Sequence, residues 1–368
     1  MGTAPNFKPL PPEVKERFVE LRPAGPPVAD QARWRRLLVR APNWLGDAVM
    51  SLPVLAGLKR LYSQAAITVL AIAGLAPLFH AAPGVDQVLV YPRDQGKWRF
   101  LWGQRGRFDL AVALPNSLES ALGLWVTGAP ARLGYVADLR RPWLSLALYG
   151  RRHLQDVHLV YYYLGLLTAL GEVTSFTPPG LGVSKEESDA AQARLAAGGL
   201  ASNGPWVGLS PGAAYGPAKR WPPERLAQTA DILHREVGAR LVILGGPGDR
   251  PEAQMVISRL QAPALDLVGR TDLRQVMAVL SGLDLLITND SGLMHLAAAL
   301  GAPLVAIFGS TDPAATGPFT PRATALRHPL PCSPCFKRTC ATGYECLTAI
   351  NVQEAAAAAK TRLKEARA

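Results

Sequence analysis

The stretch LDLLITNDSGLMHLAAALGAPLVAIFG, residues 283–309, decides the fold class. An apolar run from Leu285 to Thr288 stops at a polar trio, and an Ala/Leu-rich segment suited to a helix follows. Gly301 and Pro303 end that segment before a second apolar run, Leu304 to Phe308. Short apolar runs on either side of a helical segment indicate one βαβ unit of a buried parallel sheet.

The polar turn of this unit predicts a ligand site. In parallel sheets, ligands bind where strand ends meet helix starts, whose unpaired N–H groups and positive dipole end suit phosphate. Ser291 is placed to cap the helix, Gly292 allows a ligand to approach the backbone, and His295 lies about one turn further on. In the alternative interpretation, Asp290 and Ser291 only cap the helix and His295 packs against the sheet.

Composition limits the class of protein. At 368 residues, 49% hydrophobic and 18% charged, the chain is long enough for two well-packed domains and is not of disordered composition. No apolar run reaches the roughly 18 residues that cross a bilayer, and the N-terminus lacks the apolar core of a secretory signal. These features predict a cytoplasmic protein.

The charge is strongly basic. Lys and Arg number 39 against 28 acids, a net charge of +11, and residues 93–152 hold ten basic residues against four acids. This balance favours an anionic partner: nucleic acid, a phosphorylated substrate or a membrane surface. The alternative is a genome whose base composition favours arginine.

Alternating strand and helix patterns run through both halves of the chain. The first series begins at Arg36–Arg40 and the second at Trp206–Ser210, with Pro/Gly-rich sequence between them. The alternation predicts an α/β protein of two doubly wound, Rossmann-like domains that face each other across a cleft. The predicted bounds are an arm at 1–35, a first domain at 36–175, a linker at 176–185, a second domain at 186–350 and a C-terminal helix at 351–368.

Two segments of the first half have ambiguous patterns. The run WLSLALY, residues 143–149, has arginines on both sides, so it suits either an anionic membrane surface or a core helix with a basic collar. The core interpretation is favoured. Residues 154–170 predict one apolar helix.

Two motifs carry side chains suited to catalysis and phosphate binding. Asp47 follows the first strand, where a carboxylate is able to take a proton from an acceptor hydroxyl or simply to cap a helix. In the second half, the small-residue loop at 211–213 leads to Lys219 and Arg220, which suits a pyrophosphate cradle. This loop lacks the GK[ST] ending of a P-loop, and plain surface basicity is the alternative.

The four cysteines lie within fifteen residues, at positions Cys332, Cys335, Cys340 and Cys346. In a chain without a secretory signal, this grouping argues against a secreted disulfide framework. The spacing departs from paired CxxC knuckles but is compatible with structural zinc. Disulfides or free thiols in a surface loop are the alternatives.

Together these motifs resemble the heptosyltransferases of glycosyltransferase family 9, which build the lipopolysaccharide inner core, and among them the type II enzymes most. The resemblance spans about residues 37–350. It is carried by five segments: APNWLGDAVMSLPVL (41–55), ALPNSLESAL (113–122), PGAAYGPAKRWP (211–222), NDSGLMHLAAALGAPLVAIFG (289–309) and CSPCFKRTCATGYECL (332–347). The N-terminal arm is extra to the family pattern.

The resemblance implies a GT-B fold and an inverting transfer of heptose from ADP-heptose to the heptosyl-Kdo-lipid A core. It implies Asp47 as general base, with no metal or other cofactor required for the chemistry. The implied donor-binding residues are Gly212, Lys219, Asp290, Ser291, Gly292 and His295. The implied acceptor-binding residues are Asn43, Gly46, Asn116 and Ser117. The expected setting is the cytoplasmic face of the inner membrane, with peripheral attachment to its anionic surface and no nucleic acid as partner.

Three other functions fit parts of the sequence. Heptosyltransferase I, or another nucleotide-sugar transferase of the family, keeps the fold and changes the substrates. A nucleotide-sugar epimerase keeps the architecture and changes the reaction. A basic nucleic-acid-binding protein with a zinc-like cysteine cluster belongs to another class, and it predicts binding that weakens steeply with salt.

Overall fold

The computed structural model describes residues 8–23, 34–92, 96–171, 173–200 and 203–367. The chain divides into two compact units, Met1–Leu181 and Gly182–Ala368. Each unit has its own large sheet.

The first unit alternates strands and helices along most of its length. Its strands are β1 (Lys8–Pro9), β2 (Arg22–Pro23), β3 (Arg36–Arg40), β4 (Ala66–Ala71), β5 (Gln87–Val90), β6 (Leu110–Ala113), β7 (Ala131–Tyr135), β8 (Leu146–Tyr149) and β9 (Ser175–Phe176). Its helices are α1 (Pro12–Val19), α2 (Leu45–Met50), α3 (Leu52–Leu61), α4 (Ala76–His80), α5 (Lys97–Trp102), α6 (Leu118–Val126) and α7 (Leu159–Leu164).

The sheet of the first unit has seven strands in the order β2-β8-β7-β6-β3-β4-β5. All neighbours are parallel except β2, which runs antiparallel to β8. The central strands are buried on both faces, as in Leu110–Ala113, because helices cover both sides of a parallel sheet. The predicted doubly wound α/β class is confirmed for this unit.

Part of the predicted flexible arm is folded. Leu10, Val14, Phe18 and Leu21 are buried, with Val14 and Phe18 one helical turn apart on α1. Strand β1 pairs with β9 and β2 pairs with β8, so the segment is attached at both ends. Each buried side chain contributes roughly 1.5–3 kcal/mol, which offsets the entropy of ordering the segment. The prediction of a flexible arm is therefore wrong for residues 8–23; residues 1–7 and 24–33 lie outside the described ranges.

The two ambiguous segments of the first half are not the predicted helices. Residues 146–149 form strand β8, whose first three side chains are buried, so the preference for a core position is right and the predicted helix is wrong. Residues 154–170 are a 3-10 turn (Arg151–Leu154), helix α7 and a second 3-10 turn (Gly165–Ala169). An apolar run has no period that separates a buried strand from a buried helix.

The second unit is built in the same alternating way. Its strands are β10 (Trp206–Ser210), β11 (Arg240–Ile243), β12 (Ala264–Asp266), β13 (Leu285–Asn289), β14 (Leu304–Ile307) and β15 (Ala323–Leu326). Its helices are α8 (Lys185–Ala196), α9 (Pro223–Val237), α10 (Arg250–Ile257), α11 (Leu273–Ser281), α12 (Gly292–Ala299), α13 (Pro313–Thr316), α14 (Glu345–Thr348) and α15 (Val352–Arg367).

Its sheet has six parallel strands in the order β12-β11-β10-β13-β14-β15. The C-terminal helix α15 packs against α9 and the strands β13–β15, and buries Ala355, Ala359 and Leu363 in the core of this unit. The edge strand β15 has no counterpart in the sequence prediction, because its residues ATAL alternate little in hydropathy.

Each sheet has one point at which the chain reverses the direction of its winding. In the first sheet, β4 and β5 lie on one side of β3 and β6 lies on the other; in the second, β11 and β12 lie on one side of β10 and β13 on the other. At such a switch point the loops after two neighbouring parallel strands diverge and leave a crevice for a ligand. The loops after β3, β6, β10 and β13, together with the starts of the helices that follow them, contain the predicted catalytic, donor-binding and acceptor-binding residues.

Candidate functional site

Asp47 lies in the first turn of α2, just beyond the end of β3, and is half-buried. Tyr163 on α7 donates its hydroxyl to Oδ1 of Asp47 at 2.9 Å. Burial, and then the neighbouring carboxylate, hold the pKa of Tyr163 well above its usual range, so the phenol stays protonated and remains a donor. Trp44 occupies the N-cap position of α2, and Asp47 is the third residue of the helix.

An arginine at the end of β3 supports the turn between β3 and α2. Arg40, the last residue of β3, donates through Nη2 to Oδ1 of Asn43 at 2.9 Å, and its guanidinium lies 4.6 Å from the centre of the Tyr91 ring. Asn43 is exposed and Gly46 half-buried. Both predicted acceptor residues therefore lie at the mouth of the turn that positions Asp47.

The neighbouring strand β6 brings the other two predicted acceptor residues to the same edge of the sheet. Asn116 Oδ1 accepts from Nη2 of Arg140 at 3.0 Å, and its amide donates to the Tyr162 hydroxyl. Arg140 is fully buried, and burial lowers its pKa to about 10, so it stays cationic at neutral pH. Ser117 caps α6 by accepting the backbone N–H of Ser120 at 3.2 Å, which is a structural use of that residue.

In the second unit, Lys219 and Asp290 form an ion pair. Lys219 ends a 3-10 turn in the loop after β10, and its ammonium lies 2.5 Å from Oδ2 of Asp290, directly after β13. The same oxygen accepts the Thr311 hydroxyl at 2.6 Å. The side chain of Asp290 is 3% exposed and that of Lys219 is 13% exposed. A phosphate placed here would meet an ammonium that is already positioned and largely desolvated.

Asn289, the last residue of β13, fastens the loop that carries Lys219 to the sheet. This loop, residues 211–221, is called the lysine loop. Its amide donates to the carbonyl of Pro211 at 2.7 Å, and its Oδ1 accepts the backbone N–H of Trp221 at 3.0 Å. These residues bracket the loop that carries Lys219, so one buried amide ties both ends of the loop to the central strand. Tyr215 lies within the loop, with its ring centre 4.9 Å from the Lys219 ammonium.

The start of α12 is only partly as predicted. Ser291 occupies the N-cap position but makes no side-chain cap hydrogen bond; its hydroxyl lies 3.3 Å from that of Thr288. The prediction that the Ser291 side chain caps the helix is therefore wrong. Gly292 is the first helical residue, and His295 is buried in the next turn. The first N–H groups of α12 remain available to a ligand at this end.

Gly212 is a position that only glycine fits. A Cβ built there would lie 2.0 Å from Oδ1 of Asp249, whose other oxygen accepts the backbone N–H of Gly246 at 2.8 Å. Burial raises the pKa of Asp249 above its usual value. Asp249, in the loop after β11, therefore packs closely against Gly212 in the loop after β10.

The cysteine-rich segment packs on the lysine loop. Backbone N–H groups of Cys335 and Phe336 donate to the carbonyl of Ser310 at 3.1 and 2.8 Å, and Ala218 donates to the carbonyl of Arg338 at 3.0 Å. The Tyr215 hydroxyl donates to the carbonyl of Phe336 at 2.6 Å. The segment thus supports the backbone next to Lys219 through main-chain contacts.

The thiols differ in their environments. The hydroxyl of Thr342 and the backbone N–H groups of Thr342 and Tyr344 lower the pKa of Cys340 to about 7. Burial, followed by the other three thiols, raises the pKa of Cys346. The described part of the chain contains no group of three or more His, Cys, Asp or Glu side chains positioned to hold a metal ion. Zinc at Cys332, Cys335, Cys340 and Cys346 therefore stays a prediction of the spacing alone.

The structure brings together the predicted residues of each unit at its switch point. Sequence reasoning missed four side chains that organise these sites: Tyr163, Arg140, Asn289 and Thr311. Asn289 lies in the quoted segment 289–309 but was given no role there, and the other three lie outside the quoted segments. Their contacts join positions 21 to 116 residues apart in the chain, which local spacing does not reveal.

Two Rossmann-like units, the second with a lysine and a helix N-terminus at its switch point, are the architecture expected of a nucleotide-sugar glycosyltransferase. Residues 102–345 match the model of glycosyltransferase family 9 (heptosyltransferase). Lipopolysaccharide heptosyltransferase 2 of Salmonella typhimurium is 33% identical over 312 residues, which cover 79% of this chain and 88% of that protein. The chain belongs to glycosyltransferase family 9.

A solved structure and a type 1 relative refine this assignment. The structure of E. coli ADP-heptose lps heptosyltransferase II is similar with a TM-score of 0.77 and 30% identity, covering 90% of this chain and all of that one. Lipopolysaccharide heptosyltransferase 1 of Pseudomonas aeruginosa matches only 33% of this chain, at 31% identity. The predictions of a GT-B-class fold, of a glycosyltransferase enzyme and of the heptosyltransferase II type are confirmed.

Proposed function

We propose that this enzyme transfers L-glycero-D-manno-heptose from ADP-heptose to a heptosyl-Kdo-lipid A acceptor with inversion at the anomeric carbon. The observation that carries the proposal is the Lys219–Asp290 pair beside the start of α12. It sets a desolvated ammonium and a helix N-terminus at the switch point of one sheet. Such a site suits a diphosphate that gains negative charge as it departs.

The second unit is assigned to the donor. Lys219 exchanges its contact with Asp290 for one with the diphosphate, and the N–H groups around Ser291 and Gly292 bind its oxygens. Gly212 is assigned to the donor through its place in the loop after β10, and His295 supports the start of α12 from its buried position. Because these groups stabilise the leaving ADP, the transfer needs no metal ion or other cofactor.

The first unit is assigned to the acceptor. Asp47 takes the proton of the attacking hydroxyl, the new bond forms between that oxygen and the anomeric carbon, and the bond from that carbon to the diphosphate breaks. Tyr163 holds the Asp47 carboxylate in one orientation. Asn43, Gly46, Asn116 and Ser117 line the two loops at this edge and are assigned to the acceptor sugar.

The setting proposed for the reaction is the cytoplasmic face of the inner membrane, with the enzyme attached peripherally. The acceptor is a phosphorylated, membrane-anchored glycolipid, and the net charge of +11 favours such a partner. The type 2 relatives match most of the chain, and the type 1 relative matches a third of it, which supports an acceptor that already carries the first heptose.

The test is release of ADP from ADP-heptose by the purified full chain. We expect release only when heptosyl-Kdo-lipid A is present. Release only with an acceptor that lacks the first heptose would contradict the type II assignment and identify a type I reaction. Release that is independent of any acceptor would contradict transfer altogether.

A further inference from the structure

Helices α5 and α6 of the first unit expose large aromatic side chains. Trp102 is 59% exposed, Trp125 46% and Trp98 40%, and Leu118 is also exposed. Burying a tryptophan removes a large apolar surface from water, so three half-exposed tryptophans on two neighbouring helices are unusual for a solvent-facing surface. We give the name tryptophan face to these four side chains and the cations near them, Lys97, Arg99, Arg105 and Arg107.

The two helices lie side by side. At their starts, Lys97 is ion-paired with Glu119 at 2.8 Å. At their ends, the backbone N–H of Gly106 donates to the carbonyl of Thr127 at 3.0 Å. Leu101 of α5 packs where Gly123 of α6 leaves space, and both are buried. The contact between α5 and α6 thus contains small and aliphatic residues, and the tryptophans lie outside it.

The tryptophan face is rich in cations. Residues 96–107 contain one lysine and three arginines and no acid. The guanidinium of Arg105 lies 4.7 Å from the ring centre of Trp102, and the ammonium of Lys97 lies 4.9 Å from that of Trp98. The only acid on α6, Glu119, is engaged by Lys97 and by the Tyr91 hydroxyl. Arg99, Arg105 and Arg107 are exposed.

The face continues onto the next loop of the chain. Trp125 and Trp143 pack edge to face with their ring centres 5.2 Å apart, and Arg132 donates through Nε to the carbonyl of Trp143 at 2.8 Å. Arg141, at the start of the turn that ends in Trp143, is exposed. Aromatic rings and arginines therefore occur together in this part of the first unit.

We propose that the tryptophan face docks on an anionic phospholipid bilayer. Indole rings settle at the boundary between headgroups and acyl chains, and arginines beside them pair with anionic headgroups. A second copy of the chain would set the same cations against each other, which disfavours a symmetric pair through this face. The inference deepens the proposed function in that the proposed acceptor is lipid-anchored, and it assigns the attachment to α5, α6 and Trp143, not to strand β8.

The bilayer contact suggested by the tryptophan face is shallow. No helix in the described ranges has both the length and the apolar composition that crossing a membrane demands. Anchoring that combines apolar insertion with charge attraction is reversible and depends on both parts. Removing the aromatic side chains should therefore weaken binding to any bilayer, and removing the cations should weaken binding to anionic bilayers only.

The experiment measures co-flotation of the full chain with vesicles that contain no acceptor glycolipid. One set consists of phosphatidylcholine, and in the other phosphatidylglycerol replaces part of it. The unmodified chain should bind the phosphatidylglycerol vesicles more tightly, and added salt should reduce the difference. The variant Trp102→Ser/Trp125→Ser should lose about tenfold in binding to both sets. The variant Arg99→Gln/Arg105→Gln should lose about fivefold per cation, on the anionic vesicles only.

A matched control lies in the second unit. Met255 is exposed on α10, with Arg259 beside it, so Met255→Ser/Arg259→Gln removes an exposed apolar side chain and a cation elsewhere. This control should bind as the unmodified chain does. Binding by both tryptophan-face variants equal to that of the unmodified chain would overturn the proposal. The proposal would also be overturned if the unmodified chain formed a dimer that only Trp102→Ser/Trp125→Ser disrupted, while this variant still bound vesicles as the unmodified chain does.

Turnover with a deacylated, water-soluble acceptor separates this inference from the proposed function. The tryptophan-face variants should keep that turnover, because they lie outside the loops after β3 and β6. If vesicle binding behaves as described and the unmodified chain turns over no acceptor, the proposed function fails and the bilayer contact stands. If turnover is normal and no vesicle is bound, only the bilayer contact fails.

Discussion

The two strand-end sites occupy the same place in their sheets and hold their carboxylates in opposite ways. Asp47 in the first unit is half-buried and accepts a hydrogen bond from a neutral phenol. Asp290 in the second is buried and binds an ammonium and a threonine hydroxyl. A carboxylate held by a neutral donor suits proton transfer, and one paired with a cation suits building a phosphate site. The same topology thus places two carboxylates in different surroundings, which fit the proton transfer and the phosphate binding proposed for them.

The largest effect is expected from Asp47→Asn. The amide keeps an oxygen for the Tyr163 hydroxyl but cannot take a proton, so turnover should fall by about 10²–10⁴-fold. Acceptor-dependent ADP release measures this, and the free energy of unfolding should change by less than about 0.5 kcal/mol. The exposed Asp156 of the same unit is the control, and Asp156→Asn should keep normal turnover. Normal turnover in a folded Asp47→Asn enzyme would remove Asp47 as the base.

The same substitution in the second unit should act on stability. In Asp290→Asn, the Lys219 ammonium keeps its charge and loses its buried counter-ion, which should cost roughly 3 kcal/mol of unfolding free energy. Denaturant unfolding measures this. Glu236→Gln breaks the exposed pair with Lys360 and should cost less than about 1 kcal/mol. Equal losses of unfolding free energy in the two variants would show that burial does not make the Lys219–Asp290 pair more important for stability than the exposed pair.

Replacing Lys219 should act on the donor. Lys219→Ala removes a charge-assisted contact worth roughly 1.5–3 kcal/mol, which corresponds to a donor requirement about tenfold to a hundredfold higher. Titration of ADP-heptose at saturating acceptor checks this. Lys360→Ala removes an ion-paired lysine of the same unit away from the loops and should leave the titration unchanged. A Lys219→Ala enzyme with the donor titration of the unmodified chain would contradict the assignment.

A smaller effect is expected from Tyr163→Phe. Its hydroxyl stabilises the charged form of Asp47, so its loss should slow turnover about tenfold and move the acidic limb of the pH–rate profile to higher pH. A purely structural role would lower stability without moving that limb. Tyr161→Phe is the control on the same helix, because the Tyr161 ring packs against Phe176 and that contact is retained.

The smallest effect concerns the cysteine-rich segment, which contacts the lysine loop. Because the pKa of Cys340 is lowered to about 7, its thiolate forms as the pH rises through that value. Alkylation of Cys340 should reach half its maximal rate near pH 7, as measured by peptide mass spectrometry. Any effect of Cys340 alkylation on turnover should appear in the donor titration only and should be absent in Cys340→Ser, in which the exposed Cys332 still reacts. A half-maximum above pH 8 would contradict the described N–H contacts to this sulfur.

Much of the architecture follows from the sequence. The period of the strands and helices indicated two parallel α/β sheets, and the loop positions of Asp47, Lys219 and Asp290 followed from strand ends alone. This works because a buried parallel strand and its following turn leave a local signature in hydropathy and in glycine, proline and polar residues. The family resemblance added the reaction, which no periodicity contains.

Only the tertiary structure decided which side chains meet. The folded part of the arm, the strand at 146–149 and the uncapped Ser291 all depended on neighbours that are distant in the chain. The same holds for the tie from Asn289 to the lysine loop and for the hydroxyl that Tyr163 donates to Asp47. Burial and hydrogen bonding are properties of the packed state, so an isolated segment does not encode its partner. The sequence determined where the reactive groups lie along the chain, and the packing determined what holds each of them.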